Sequence, residues 1–271
     1  LATHERVAAA TQKVALNSIV FLYKHVLDLP ISEELEPVKA KKYIRPPIVM
    51  VMSEVQNVFS RMYGLHLLMA KMMYGSGLRI MECIRLRVQD IDFKLNRVYV
   101  RGGKGGKDRI TVFPKTIQPE MSMQIEKVKR THKDDLENGG GDVYMPEALR
   151  RKYPAASKEF RWQYVFPAKK LSVDPRSGIR RRHHVLESGL QKAIKRAVDE
   201  AGIMKRVTSH TFRHSFATHM LENGVNIRVL QELMGHTDVK TTEIYTHVME
   251  KDISLVLSPL DKLSETSDLF S

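Results

Sequence analysis

The sequence predicts a mainly α-helical protein with one small antiparallel β-sheet, and three observations carry that expectation. Apolar residues recur at helical spacing, as in Val14, Leu16, Ile19, Val20, Tyr23 and Val26. Between residues 90 and 114 the period shortens to two: Val98 and Val100, then Ile110 and Val112, flank Gly102-Gly103-Lys104-Gly105-Gly106-Lys107. At 271 residues and 42% hydrophobic content, the chain can bury a core in one or two domains.

Taken in order, residues 9 to 27 read as one amphipathic helix ended by Pro30, the last piece of a small helical domain over residues 1 to 30. Pro30, Pro37, Pro46 and Pro47, with Lys39, Lys41 and Lys42 among them, mark residues 31 to 48 as an interdomain linker. A larger domain fills 49 to 271. Its first helix is expected to start at Glu54 behind Ser53 as cap, and a second runs from Gly64 to Tyr74. Gly75-Ser76-Gly77 breaks the pattern before a helix from Leu78 to Leu86. The period-two stretch predicts a hairpin or short sheet around a basic glycine loop. A helix is expected at 119 to 137, and Asn138 to Asp142 is a loop. Residues 146 to 184, rich in proline, aromatics and arginine, read as an insertion on a helical core. Helices are then expected at 183 to 201, 211 to 222, 226 to 234 and 238 to 247. Thr208 and Ser209 offer a cap, and Gly224 and Gly235 offer stops. The chain opens at Leu1 without methionine and almost at once in a helical pattern, so a truncated or processed product is expected.

The net charge of +13 and pI near 9.7 call for a polyanionic partner, which at this level fits nucleic acid, ribosome or anionic membrane alike. The charge is uneven: Lys169 to Arg196 holds nine Lys or Arg against two acidic residues, whereas Lys251 to Ser271 holds two against four. A single cysteine excludes an internal disulfide and a multi-cysteine metal site, and Cys83 sits in an apolar pattern that makes it core. No apolar run approaches the ~20 residues that span a bilayer.

The chemistry concentrates near the C-terminal end. His210 and Arg213, three residues apart on one helix, can face a single phosphate. Two arginines, Arg79 and Arg213, can hold the non-bridging oxygens of a phosphodiester and tighten as charge grows on phosphorus. Each alone reads more simply as a surface arginine; the ordered set Arg79, Lys104, His210, Arg213, His236 and Tyr245 changes that. Tyr245 is the candidate nucleophile, although its phenol needs nearby cations or a base to attack at neutral pH. His210 can take its proton or orient the phosphate, and His236 can donate a hydrogen bond to a phosphate oxygen. Lys104 can protonate the leaving 5′-oxygen, with Lys107 an equivalent candidate on the same loop. Glu82, on the same helical side as Arg79, would orient that arginine. His210, His214 and His219 lack the spacing and the carboxylate of a zinc site, so no metal and no cofactor are expected, and His214 and His219 are assigned to packing or to contacts with the nucleic acid.

These segments resemble the tyrosine recombinase, or phage integrase, family. Gly77-Leu78-Arg79-Ile80-Met81-Glu82 is similar to its first arginine segment, Gly103-Lys104-Gly105 to its hairpin lysine, and His210-Thr211-Phe212-Arg213-His214 to its His-x-x-Arg signature. Leu233-Met234-Gly235-His236 is similar to the second histidine segment, with Tyr245 nine residues later. The resemblance implies a catalytic domain over 49 to 271 preceded by part of a helical DNA-binding domain. It also implies metal- and ATP-independent strand transfer through a 3′-phosphotyrosyl link, and four protomers on two DNA sites. The segment around Ile253 to Leu260 would pack into a neighbour, and the setting would be the bacterial cytoplasm, at the nucleoid.

The insertion, with Ala148 to Pro154, Trp162 to Pro167, Asp174 to Gly178 and Arg181-Arg182-His183-His184, further resembles integron integrases. That implies gene-cassette sites folded into single-stranded hairpins with extrahelical bases, alongside a duplex integration site. Trp162, Pro175, His183 and His184 offer flat or compact surfaces for unpaired bases, and Arg176, Arg180, Arg181, Arg182 and Lys107 can hold the backbone. A type IB topoisomerase, a phage-type integrase on duplex sites and a non-catalytic DNA-architectural protein are the alternatives.

Overall fold

The structure, a computed structural model, describes residues 9–30, 46–103 and 107–246. The chain divides into two units, Leu1–Arg45 and Pro46–Ser271. In the first, helix α1 (Ala9–Phe21) continues into one π-helical turn, Leu22–Val26.

The second unit is mainly helical with a small antiparallel sheet, as its periodicities predict. It opens with α2 (Met52–Phe59) and α3 (Gly64–Ser76). The expected cap at Ser53 is a correction: α2 starts at Met52, because the Glu54 carboxylate reaches back to the Val51 N–H at 2.9 Å. Gly75 and Ser76 likewise stay inside α3, and the break falls on Gly77, which caps it at φ 62°. The next helix, α4, covers only Ile80–Ile84, so Arg79 stands in front of it in an extended conformation rather than on its side.

Strands β1 (Ile91–Asp92), β2 (Arg97–Val100) and β3 (Arg109–Val112) form the sheet in that order, with Val98 opposite Thr111 and Val100 opposite Arg109. Helix α5 (Gln118–Glu137) leads into the irregular segment, which holds α6 (Glu147–Lys152) and a hairpin of β4 (Ser172–Val173) with β5 (Arg180–Arg181). Then come α7 (Glu187–Glu200), α8 (Ser209–Glu222), α9 (Ile227–Met234) and α10 (Lys240–Glu243).

Two further expected helices are shorter than their sequence patterns. Residues 183 to 186 are extended: Pro167 bridges His184, and the Ala168 and Val185 N–H groups donate to the His183 and Phe166 carbonyls at 2.7 and 2.9 Å. The opposite edge of that segment is fixed as well, with Val88 N–H on Gln163 O and Val165 N–H on Leu86 O. The irregular segment is therefore laced to the chain that leaves α4. After α10 the backbone tightens into bonds from Tyr245 to Thr242 and from Thr246 to Glu243, so Tyr245 sits on a turn.

The main core joins Met69, Met72 and Met73 of α3, Cys83 and Ile84 of α4, Leu190 and Ile194 of α7, and Phe212 of α8. Phe59 and Phe212 stack at 5.7 Å. A second cluster of Phe216, Leu230, Met234 and Tyr245 ties the last helices together. Among the described residues no helix is long and apolar enough to cross a membrane.

Candidate active site

Arg213 anchors the site. It is 3% exposed on α8, and its two terminal nitrogens donate to the carbonyls of Gly77 and Met234, the residues that close α3 and α9. Both carbonyls are free because a helix ends there. Gly77 has no side chain for a reason: a Cβ would lie 2.5 Å from the Phe216 ring and 3.2 Å from the Met234 sulfur, at a positive φ besides. One guanidinium thus holds together the first arginine segment, the His-x-x-Arg helix and the second histidine segment.

Glu82 organises the other cations. It accepts from the Arg79 N–H and from Arg79 Nη1, each at 2.8 Å. It also takes a bidentate pair from Arg109 at 2.8 and 2.7 Å. Burial pushes its carboxyl up, but Arg109 and Arg79 outweigh that and hold it at about 2. Arg213 Nη1 stands 3.9 Å away. One carboxylate therefore serves three guanidinium groups, and the surplus is positive. For Arg213, burial first and then Arg79 push its acidity to about 9, against the opposing pull of Glu82. A bound phosphodiester would supply the missing negative charge.

His236 lies between Arg213 and α10. Its Nε2 lies 3.3 Å from Arg213 Nη2 and its Nδ1 lies 2.9 Å from Thr242 Oγ1. Arginine can only donate, so Nε2 accepts and the proton sits on Nδ1, donating to Thr242. In this arrangement, without DNA, His236 helps to orient Arg213. Burial, then Arg213 and Arg79, lower its pKa to about 4 and keep it neutral.

Tyr245 is 2% exposed, with its ring stacked against His236 at 6.4 Å. Burial raises its pKa despite Arg213 and Arg79, so the resting phenol is protonated. Its hydroxyl meets Nδ1 of His214 at 2.9 Å, a contact the sequence reading gave to His210. His210 is exposed, its ring 6.4 Å from that of His214. Lys104 lies outside the described residues. Lys107 is exposed, and its carbonyl accepts from the Gly103 N–H at 3.2 Å.

The insertion borders the same cleft. Trp162, Pro175, Arg176, Arg181, His183 and His184 line one cavity of about 870 Å³ together with Arg79 and Glu82. The His183 and His184 rings are 4.1 Å apart. Arg180 is exposed on β5 outside the cavity wall, and Arg182 is turned inward. Arg182 pairs with Asp135, Nη2 to Oδ1 at 2.7 Å, and donates to the carbonyls of Ala168 and Lys169. Arg181 pairs with Asp174 at 2.6 Å. Both of these cations are paired with a carboxylate, whereas among the described residues Arg176 and Arg180 are exposed and in no ion pair. Arg87, not singled out from sequence, supports the Trp162 side: it donates to the Trp162 and Tyr144 carbonyls at 2.6 and 2.7 Å and lies 4.8 Å from the Tyr164 ring centre. Among the described residues no cluster of His, Cys, Asp and Glu is suited to a metal ion.

A buried tyrosine beside arginines whose charge exceeds that of their carboxylate is a set suited to phosphoryl transfer. The phage integrase family profile matches residues 50–252.

The chain belongs to the phage integrase family.

It is a tyrosine recombinase, and it acts on DNA by exchanging strands through a phosphotyrosyl link. An integrase/recombinase of Escherichia coli is 42% identical over 265 residues, which are 97% of this chain and 78% of that one. Tyrosine recombinase XerA of Thermococcus onnurineus is 34% identical over 220 residues, 80% of this chain and 63% of that one. Among solved structures, XerH recombinase in a post-cleavage complex with a palindromic difH substrate has the same fold. Its TM-score is 0.59 at 18% identity, covering 93% of this chain and 68% of that one. In the recombinase, Arg79, Arg213, His236 and Tyr245 converge, with Glu82 among them. Arg109, Thr242 and the His214 contact are additions. Arg109 had no local signal, because its partners Glu82 and Leu233 lie 27 and 124 residues away.

Proposed function

We propose that this recombinase captures and excises gene cassettes, acting on one DNA strand folded into an imperfect hairpin. One observation carries this reading. The insertion's flat and compact side chains, Trp162, Pro175, His183 and His184, share a single cavity with Arg79 and Glu82 of the catalytic centre. An unpaired base stacked there would sit beside the phosphate to be cut. Trp162 also carries an unused donor: its indole N–H is buried and, among the described residues, meets no acceptor. An extrahelical base is already out of the stack, which lowers the cost of placing it in a pocket. Arg176 and Arg180 remain available for the backbone of the hairpin.

In this reading Tyr245 attacks the scissile phosphate, a 3′-phosphotyrosyl link forms, and a 5′-hydroxyl from a second strand reseals it. Four protomers would assemble on two sites, one of them a duplex, in the bacterial cytoplasm. Exchange of the segment around Ile253 to Leu260, which lies outside the described residues, would join the protomers.

The test compares a nicked, folded single-stranded cassette hairpin with the matching perfect duplex, metal chelated throughout, in wild type and Tyr245→Phe. Covalent protein–DNA product is expected with wild type alone, and more on the hairpin. Equal product on both DNAs would refute the hairpin preference and leave tyrosine cleavage standing.

A further inference from the structure

Beyond Arg79 and Glu82, the cavity wall carries more positive charge than it cancels. Its carboxylates there are Asp90 and Asp174, and each has a cation, Arg101 at 2.7 Å and Arg181 at 2.6 Å. Arg85 and Arg87 line the same wall and, among the described residues, are in no ion pair. Arg87 is held as Arg213 is: its terminal nitrogens donate to two neutral carbonyls, those of Trp162 and Tyr144, at 2.6 and 2.7 Å. Asp90 accepts from the backbone N–H of Arg87 at 3.0 Å and gives its other oxygen to Arg101. Arg85 is exposed. Arg181 adds a donor: its charge is spent on Asp174, yet its Nε is buried and, among the described residues, meets no acceptor, in a residue only 5% exposed.

These three arginines converge on Tyr164. Burial raises its phenol, and Arg87, Arg85 and Arg181 all pull against that rise. Burial also lowers His183 and His184, and Arg85 and Arg87 press both further down. The phenol and the two imidazoles are therefore neutral and bring no counter-charge. This part of the wall offers donors and positive charge, and what it lacks is an anion.

We propose that Arg87, with Arg85 and the Nε–H of Arg181, seats a second phosphate of the bound DNA strand, apart from the scissile phosphate on Arg79 and Arg213. A guanidinium already fixed by carbonyls loses little freedom when it takes a phosphate oxygen. The same oxygens would satisfy the orphan donor of Arg181. Arg79 and Arg87 stand at the two ends of the stretch that contains α4, and Val88 and Val165 lace the far end to the insertion. One short piece of chain thus sets the spacing between the two seats, and the phosphate that reaches Arg79 depends on where its neighbour is held. This second seat needs a DNA strand but not a hairpin.

The test measures DNA affinity in a Tyr245→Phe parent, on oligonucleotides selected from random pools of duplexes and hairpins by binding to the protein. Single phosphates of the strand that wild type cleaves are replaced, one at a time, by neutral methylphosphonates. Besides the scissile position, one further position is expected to cost about tenfold in affinity when neutralised. In Arg87→Gln that position should lose its sensitivity while the scissile position keeps its own. The slope of log affinity against log salt should drop by about 1. Trp162 is the one tryptophan of the chain, so its emission maximum reports whether the wall stays in place. Should that maximum shift in Arg87→Gln, Arg85→Ala decides, with a smaller loss of sensitivity expected at the same position. A scan without a second sensitive position, or a second position equally sensitive in the parent and both variants, would overturn the proposal. So would a loss spread evenly over all positions, which would reduce these arginines to general positive charge.

Discussion

Buried arginines in the catalytic cleft and in the insertion look alike in sequence and are used in opposite ways. Arg182 and Arg181 of the insertion each have a carboxylate of their own, Asp135 and Asp174. Their charge is spent inside the protein, and they act as struts. In the cleft, Arg79, Arg109 and Arg213 share the single carboxylate of Glu82, and Arg213 is held by the neutral carbonyls of Gly77 and Met234. Positioning by carbonyls fixes a guanidinium without cancelling its charge. The difference between a strut and a phosphate clamp therefore lies in the partner, not in the arginine or its burial.

Three substitutions can break or sharpen that contrast. The largest effect is expected for Arg213→Lys. An ammonium keeps the charge but cannot reach both carbonyls and a phosphate with one planar fork. Adduct formation should fall by about 10²–10³ in single-turnover assays, the scale of losing one transition-state donor. A near-wild-type rate would mean that charge alone suffices. Next is Arg182→Gln, which leaves Asp135 buried without its cation. Thermal or urea unfolding should show a loss of about 3 kcal/mol, while the rate of the folded fraction is unchanged. If the rate falls and stability does not, Arg182 belongs with the clamp. The smallest effect is expected for Arg176→Ala, exposed and, among the described residues, in no ion pair. Its DNA affinity should weaken modestly, and the slope of log affinity against log salt should drop by about 1, with stability unaltered.

The same contrast explains what could be read from sequence. Arg79, His210, Arg213, His236 and Tyr245 were legible because short segments of fixed spacing carry them, and His210 and Arg213 share one helix. Arg109 and Arg87 were not. Their partners lie 27 and more residues away, so nothing local distinguishes them from surface cations. The contacts of His236 and His214 were not legible for a related reason: which nitrogen points at which neighbour depends on Thr242 and Tyr245, set by the turn after α10. Helix boundaries failed where tertiary bonds outweigh propensity. His183 and His184 carry no helix-breaking signal, yet pairing with Pro167 and Ala168 keeps them extended. The period-two strands and the apolar spacing of α3, α7 and α8, in contrast, follow from side-chain patterning alone.

Gly77 has a practical bearing on redesign. Any attempt to retarget the enzyme by randomising the segment from Gly77 to Glu82 would recover glycine at the first position whatever DNA was used for selection. A side chain there collides with Phe216 and disturbs the carbonyl that seats Arg213, so variants would be eliminated before they met a substrate. Diversity is better placed at Arg176 and Arg180, whose side chains the core does not need.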